Sequence, residues 1–215
     1  MPTTARSRAC RCAEANHAVQ LALFDFDHTL TDGDSYARFL RRVATPGQLR
    51  RARWRIGPWV LGYRAGLVSA AALRKRVTRL AFDGRDAEEI VQLGEAHARD
   101  TLPDMLRPEM MQRLRWHLDE GHEVVLVSAS LDTYLQPWCE QHGLHGLICN
   151  RLASRDGRLT GTYADGDIGN RKAELIRTRH DLARYTRIHA YGDSREDHPM
   201  LALAHERWYR GKPVA

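Results

Sequence analysis

Residues 21–30 read Leu-Ala-Leu-Phe-Asp-Phe-Asp-His-Thr-Leu. The apolar run from Leu21 to Phe24 stops at two carboxylates two positions apart, Asp25 and Asp27, and Thr29 follows. A run apolar on both faces predicts a parallel strand buried between helical layers. Acids at its end do nothing for folding, and in an open α/β sheet that end is where ligands sit. Taken alone, the stretch also admits the lesser reading of a strand that stops in an Asp-rich turn. The rest of the chain decides between the two.

Two further buried strands end in polar groups. Glu123 to Ser128 is one, and Arg187 to Tyr191, running into Gly192-Asp193-Ser194, is the other. Leu147–Cys149 predicts a short strand, and Leu152–Tyr163 a hairpin turning at Asp156-Gly157. Helices are expected over 109–120, 131–142 and 170–180, with a short one over 199–205. From Asp34 to about residue 120 the pattern is helical throughout. Pro46-Gly47, Gly57-Pro58 and Asp83-Gly84 are expected to break it, and Ser69 and Asp86 to cap helices.

Alternating strands and helices on both sides of one long helical stretch predict an α/β, doubly wound parallel, Rossmann-like core with an inserted helical cap. The expected division is a flexible tail over 1–19, a core over 20–34 and 105–215, and a cap over 35–104. Cys10 and Cys12 lie in the tail, Cys139 and Cys149 in core elements, and no cysteine spacing suits zinc. Reduced thiols and a cytoplasmic protein are expected. The tail lacks the apolar segment of a secretory signal, and no apolar run approaches the roughly 18 residues of a membrane span.

The net charge of +6 is unevenly placed. Residues 35–82 carry 12 basic side chains and no Asp or Glu. Only three of the chain's basic residues are lysines: Lys75, Lys172 and Lys212. Lys172 opens the helix before the strand that ends at Asp193. Right-handed crossovers bring such strand ends to one edge of the sheet. The set is two carboxylates, a hydroxyl, an amine and further carboxylates, with no Ser–His pair and no glycine-rich phosphate loop.

With these residues in place, the chain resembles the haloacid dehalogenase superfamily of phosphohydrolases. Asp25-Phe26-Asp27-His28-Thr29 is similar to its first motif, Ser128 to the second, Lys172 to the third, and Gly192-Asp193-Ser194-Arg195-Glu196-Asp197 to the fourth. The helical insertion resembles the type-one cap of the subfamily that contains phosphoserine phosphatase. The resemblance implies that Asp25 is a nucleophile forming an aspartyl-phosphate. It implies that Asp27 is the acid and base, which requires a site that disfavours its charge. It implies Mg2+, held by the Asp25 carboxylate, the Asp27 carbonyl and Asp193. Ser128, the Ala129 N–H and Lys172 would bind phosphoryl oxygens.

Thr29 either joins that set or only closes the turn. Asp197 either pairs with Lys172, binds metal water or caps a helix. Asp34 lies where phosphoserine phosphatases carry a Glu that faces the substrate amine. It reads a cationic group or caps the first cap helix. His28 is expected to be bystander surface and Asp32 a solvated turn acid. Two positions depart from the phosphoserine phosphatase pattern: Glu196 stands where Asn is usual, and Ala129 where Gly is common. An acid at 196 should repel a phosphate unless it points away.

The expected function is an Mg2+-dependent phosphomonoesterase acting on a small or lipid-linked phosphate. The basic, aromatic first half of the cap contains Arg50, Arg51, Arg53, Trp54, Arg55, Trp59, Tyr63 and Arg64. It admits three readings: a solvated face, a funnel for an anionic substrate, or a surface that touches anionic lipid at the inner face of the membrane. The last would suit a phosphatidylglycerophosphate-type lipid phosphatase, which the stretch 197–208 also resembles. Phosphoserine or another amino-alcohol phosphate is a further candidate. A noncatalytic binder of anionic surfaces is the rival from another class. Nucleic acid is not expected, since no binding motif accompanies the charge.

Overall fold

A computed structural model describes residues 19–44 and 46–214, and, within α2, not the side chains of residues 46 and 48–53. The expected tail, with Cys10 and Cys12, therefore lies outside the described residues except at Val19. In chain order the elements are β1 (Gln20–Phe24), α1 (Ser35–Val43), α2 (Pro46–Arg64), α3 (Ala70–Phe82) and α4 (Ala87–Asp100). Then come α5 (Pro108–Asp119), β2 (Glu123–Leu131), α6 (Asp132–His142), β3 (Gly146–Asn150), β4 (Leu152–Arg155) and β5 (Arg158–Tyr163). The chain finishes with α7 (Lys172–Arg179), β6 (Arg187–Gly192), α8 (His198–Leu201), β7 (Glu206–Tyr209) and β8 (Lys212–Val214).

The main sheet has the order β3-β2-β1-β6-β7-β8. All its neighbours are parallel except β7 and β8. Strand order reverses at β1, which lies between β2 and β6, so the crevice at the ends of β1 and β6 is the topological switch point. The alternation of β1 sends its side chains to two cores. Ala22 and Phe24 face one with Leu126, Leu135 and Trp138. Leu21 and Leu23 face the other with Ile176, Ile188 and Met200. Each such fully buried Leu is worth roughly 1.5–3 kcal/mol of transfer free energy. This two-sided burial explains the uninterrupted apolar run.

The four helices α1 to α4 lie between β1 and α5. Asp34, Ser69 and Asp86 cap α1, α3 and α4 through side-chain oxygens. β4 and β5 form the expected hairpin as a separate two-stranded sheet.

Three expectations need correction. Gly57-Pro58 does not break a helix, because α2 runs through both. The residues around it, Trp54, Arg55, Gly57 and Pro58, are exposed, so water can satisfy the carbonyl that Pro58 leaves unpaired. β2 continues past Ser128 to Leu131, with a register shift against β3 at its end. The helix expected over 199–205 ends at Leu201, and the chain then forms β7 and β8. β7 is half-buried along its length and so carries no clear apolar alternation.

Candidate active site

Asp25 sits one residue beyond β1, where its N–H donates to the Tyr191 carbonyl of β6 at 2.9 Å. Lys172, the first residue of α7, is buried and places Nζ 2.6 Å from Asp25 Oδ1 and 2.6 Å from Asp197 Oδ1. Asp197 Oδ2 accepts from the N–H groups of Asp193 and Ser194 and from the Ser194 hydroxyl, at 3.1, 2.9 and 2.8 Å. Asp197 therefore both pairs with the amine and caps the turn after β6. A side chain at Gly192 would meet Asp197 Cβ at 2.5 Å, so this close approach requires glycine.

One ammonium thus serves two buried carboxylates. Burial alone would raise Asp197, but Lys172 and the Ser194 bonds hold it below the usual carboxylate range. Burial would lower Lys172, yet the two acids hold it above the ordinary lysine range. Asp25 is left short of positive charge. Burial pushes it up to about 8 against the pull of Lys172, and the Asp197 charge adds to the rise.

Asp25, Asp193 and Asp197 each bring a carboxylate oxygen within 4.8 Å of the others. Both Asp197 oxygens already accept hydrogen bonds, whereas the described residues give the Asp193 side chain no hydrogen-bond partner. The N–H groups of Thr29, Leu30 and Thr31 all converge on the Phe26 carbonyl, and no backbone N–H of the turn is directed at the Asp27 carbonyl. The hard oxygen donors without a hydrogen bond are thus Asp193 and the Asp27 carbonyl, and Asp25, whose two oxygens accept only one bond each, from Lys172 and Thr29, keeps lone pairs for the same cation, the donor type that Mg2+ prefers. The uncompensated charge at Asp25 fits a divalent ion as well.

The Asp27 carboxylate is half-buried. Oδ1 accepts from the Ser35 N–H at 2.6 Å, and Oδ2 accepts from the Ser130 hydroxyl. These bonds favour the anion, but burial and then the neighbouring Asp34 outweigh them and push Asp27 up to about 6. A carboxyl that changes protonation near neutrality can both give and take a proton. Thr29 Oγ1 donates to Asp25 Oδ2 at 3.1 Å.

Ser128 is buried, and its Oγ accepts from the Ser130 N–H at 3.2 Å. The Ala129 carbonyl is held by Asn150 Nδ2 at 2.6 Å, and Asn150 Oδ1 accepts from the Ile168 N–H at 2.9 Å. Asn150 therefore fixes the end of β2 against the loop that leads to Lys172. Asp25, Asp27, His28, Ser128, Ala129, Lys172 and Asp193 all line one cavity of about 790 Å3.

The cap supplies the other wall with Tyr36, Tyr63, Ser69, Leu73 and Arg74. Arg74 of α3 clasps the core. Its Nε and Nη2 donate to Asp167 at 2.8 Å, and Nη2 also donates to Glu196 at 2.9 Å. Glu196 is thereby neutralised beside the cavity, which answers the repulsion its position suggested. The backbone of Gly169 lies so close that an added Cβ would meet Arg74 Nη2 at 2.2 Å and Glu196 Oε2 at 2.6 Å. Asp34 does cap α1, accepting from the Ala37 N–H at 2.7 Å, and it also faces the cavity. His28, with φ of 57°, lines the cavity too.

Arg74, Ser130, Asn150 and Asp167 escaped sequence reasoning. Ser130 had a local signal, since it shares β2 with Ser128 two residues away. The other three are joined by packing between distant segments and carry no motif. Of the basic window, the side chains of Arg50, Arg51 and Arg53 lie outside those described. Trp54 and Leu61 of α2 are 85% and 70% exposed, as is Leu67 beyond it at 84%. Trp59 instead packs under the Arg76 guanidinium. No helix among the described residues is long and apolar enough to cross a membrane.

The family model for haloacid dehalogenase-like hydrolases matches residues 22–202. Protein CicA of Caulobacter vibrioides is 35% identical, over 94% of this chain and 91% of its own. A histidinol-phosphatase of Neisseria meningitidis is 28% identical, over 86% of this chain and 87% of its own. A solved structure of phosphoserine phosphatase with bound substrate shares the fold, with a TM-score of 0.65, 18% identity, and coverage of 89% of this chain and 85% of that one.

Proposed function

Because this chain belongs to the haloacid dehalogenase-like hydrolase family and is a phosphomonoesterase within it, we propose that it cleaves its substrate through an aspartyl-phosphate on Asp25. The observation that carries this reading is Lys172 Nζ at 2.6 Å from both Asp25 and Asp197, which ties three distant motifs together. An Asp25 oxygen attacks phosphorus as the ester P–O bond breaks. The carboxyl of Asp27 gives its proton to the departing alkoxide. Asp27 then takes a proton from water, the hydroxide attacks phosphorus, and Asp25 and inorganic phosphate separate.

The Ser128 hydroxyl, the Ala129 N–H and Lys172 hold the phosphoryl oxygens, with Thr29 keeping Asp25 in position. Mg2+, held by Asp25, Asp193 and the Asp27 carbonyl, would offset the negative charge that otherwise keeps a carboxylate from a phosphate. Asp197 supports by holding Lys172. Asp25→Asn should abolish Mg2+-dependent phosphate release from a generic aryl phosphate while circular dichroism stays native. Retained turnover would refute the assignment.

The substrate class is a small phosphate monoester, which a cavity of about 790 Å3 accommodates with room to spare. Asp34 at its wall favours an ester that carries a cationic group, such as an amino-alcohol phosphate. A second reading, lipid-linked phosphate at a membrane surface, rests on the exposed Trp54, Leu61 and Leu67 beside a basic helix. Phosphate release compared across free amino-alcohol esters and esters in anionic vesicles separates the two. Vesicle binding without any release would favour a noncatalytic surface binder.

A further inference from the structure

Away from the catalytic cavity, three histidines meet on one face of the sheet. His117 lies in the last turn of α5, His122 just before β2, and His189 within β6. All three are buried, and none lines the catalytic cavity. Each brings a ring nitrogen within 4.8 Å of the other two. His117 Nδ1 and His122 Nδ1 are 2.7 Å apart and share a proton. We propose that His117, His122 and His189 form a site for a borderline divalent transition metal such as Zn2+, distinct from the oxygen-lined Mg2+ site.

Several features fit this assignment. Burial, then the mutual proximity of the rings and of Arg113, pushes His117 down to about 3. Burial and His122 push His189 down to about 4, and burial lowers His122 as well. The imidazoles are therefore neutral at neutral pH, which is the form that binds metal. Nitrogen donors without a carboxylate select Zn2+, Cu2+ or Ni2+ over Mg2+.

The rings are also oriented from outside. His117 Nε2 is 2.8 Å from the Tyr191 hydroxyl, and His189 Nε2 is 2.9 Å from Gln20 Oε1. Such outer partners fix ring tautomers at metal sites. With His117 protonated at Nε2, its Nδ1 accepts the His122 proton. An ion replaces that proton once His122 shifts to its other neutral tautomer, so no net proton is released. Zn–N bonds of about 2.0–2.1 Å put tetrahedral nitrogens roughly 3.4 Å apart. The close pair must open slightly and His189 must swing in. Trp116 packs edge-on against His117 and His122 and shields that side. A water would complete the coordination.

The test uses the full, untagged chain with Asp25→Asn and Asp193→Asn, which disables the acid site. Titration with Zn2+ should show one bound equivalent and a rise in Tm of roughly 5 °C at saturating ion. Co2+ should give the visible bands of a low-coordinate nitrogen site without a thiolate charge-transfer band. His122→Gln and His189→Gln should each weaken binding about 100-fold, and Tyr191→Phe about 10-fold. Near-UV circular dichroism checks that each variant folds. His122, which lies between α5 and β2 and outside both, is the informative position if a change at His117 unfolds the chain. No stoichiometric binding in the acid-site double variant would overturn the proposal. So would affinity that His122→Gln leaves unchanged, or a thiolate band with Co2+.

Discussion

Where β1 and β6 end, three carboxylates crowd around one ammonium. Further back along the same two strands, His189 of β6 contacts Gln20 of β1, and three imidazoles crowd together with no charge at all. Both clusters bury polar groups, and they solve the problem differently. Lys172 keeps Asp197 charged, whereas Asp25, pushed up to about 8, needs a further cation to hold its charge at neutral pH. The histidines give up charge and satisfy their nitrogens with each other, Tyr191 and Gln20. A buried ion pair is costly to break from one side, whereas a neutral network is costly to charge.

The sharpest break is Lys172→Met. It strands Asp25 and Asp197 without their shared partner, so turnover should fall at least about 1000-fold. Denaturant melts should show a loss of about 3–5 kcal/mol, as for other one-sided deletions of buried pairs. Next is Arg74→Ala, which frees Asp167 and Glu196 at the cavity wall. We expect kcat/KM to drop roughly 10- to 100-fold, corresponding to about 1.4–2.7 kcal/mol. Adding Glu196→Asn should recover much of that loss if bared negative charge is the cause, and steady-state kinetics on the pair reads this directly.

A third test probes the neutral strategy outside the cluster. His97 is fully buried against Phe39 and Tyr134, and among the described residues neither ring nitrogen has a hydrogen-bond partner. Burial, with Arg42 and Arg38 adding, pushes it down to about 4. The unfolded chain protonates this residue near 6.5, so His97 has no effect on stability well above that pH. As pH falls from 6.5 towards 4, the unfolded state gains a proton that the folded state refuses, and stability drops. The cost is about 1.4 kcal/mol per pH unit, or roughly 2 kcal/mol at pH 5. His97→Leu should take about 1.4 kcal/mol per pH unit off the slope of this part of the acid profile in urea melts taken from pH 7 to 5, while the slope from His117 and His189 remains. The smallest effect concerns Asp34. Asp34→Asn keeps a good cap and should leave Tm unchanged, while Asp34→Ala should cost about 1 kcal/mol. If Asp34 also reads a cation, Asn should raise KM several-fold for amino-alcohol esters and not for uncharged ones.

Much of the acid cluster was legible because each member sits at a strand end or helix start that local pattern reveals. Asp25 follows four apolar residues, Ser128 follows Val127, and Asp193 follows Gly192. Lys172 stood out by rarity. Glu196 was legible as an anomaly but not as a solution, because Arg74 lies 122 positions away and arrives only through cap packing. The histidine cluster was invisible for a related reason. His117 and His122 are five apart across a helix end, and His189 comes from a different strand, so no ligand spacing exists to be found. The Gly57-Pro58 break failed because residue type was read without knowing that this turn of α2 faces solvent. β7 failed because a short strand, half-buried throughout, carries neither a continuous nor an alternating apolar signal.

The clasp at Arg74 has a consequence for how the chamber empties. Its guanidinium belongs to the cap, and the two acids it grips belong to the core. A cap that swings away takes the cation with it and leaves Asp167 and Glu196 bare at the mouth. The rim would then be anionic, which opposes rebinding of free phosphate. Opening would thus act as a check valve, and a half-shut enzyme would turn away the anions that the shut one holds.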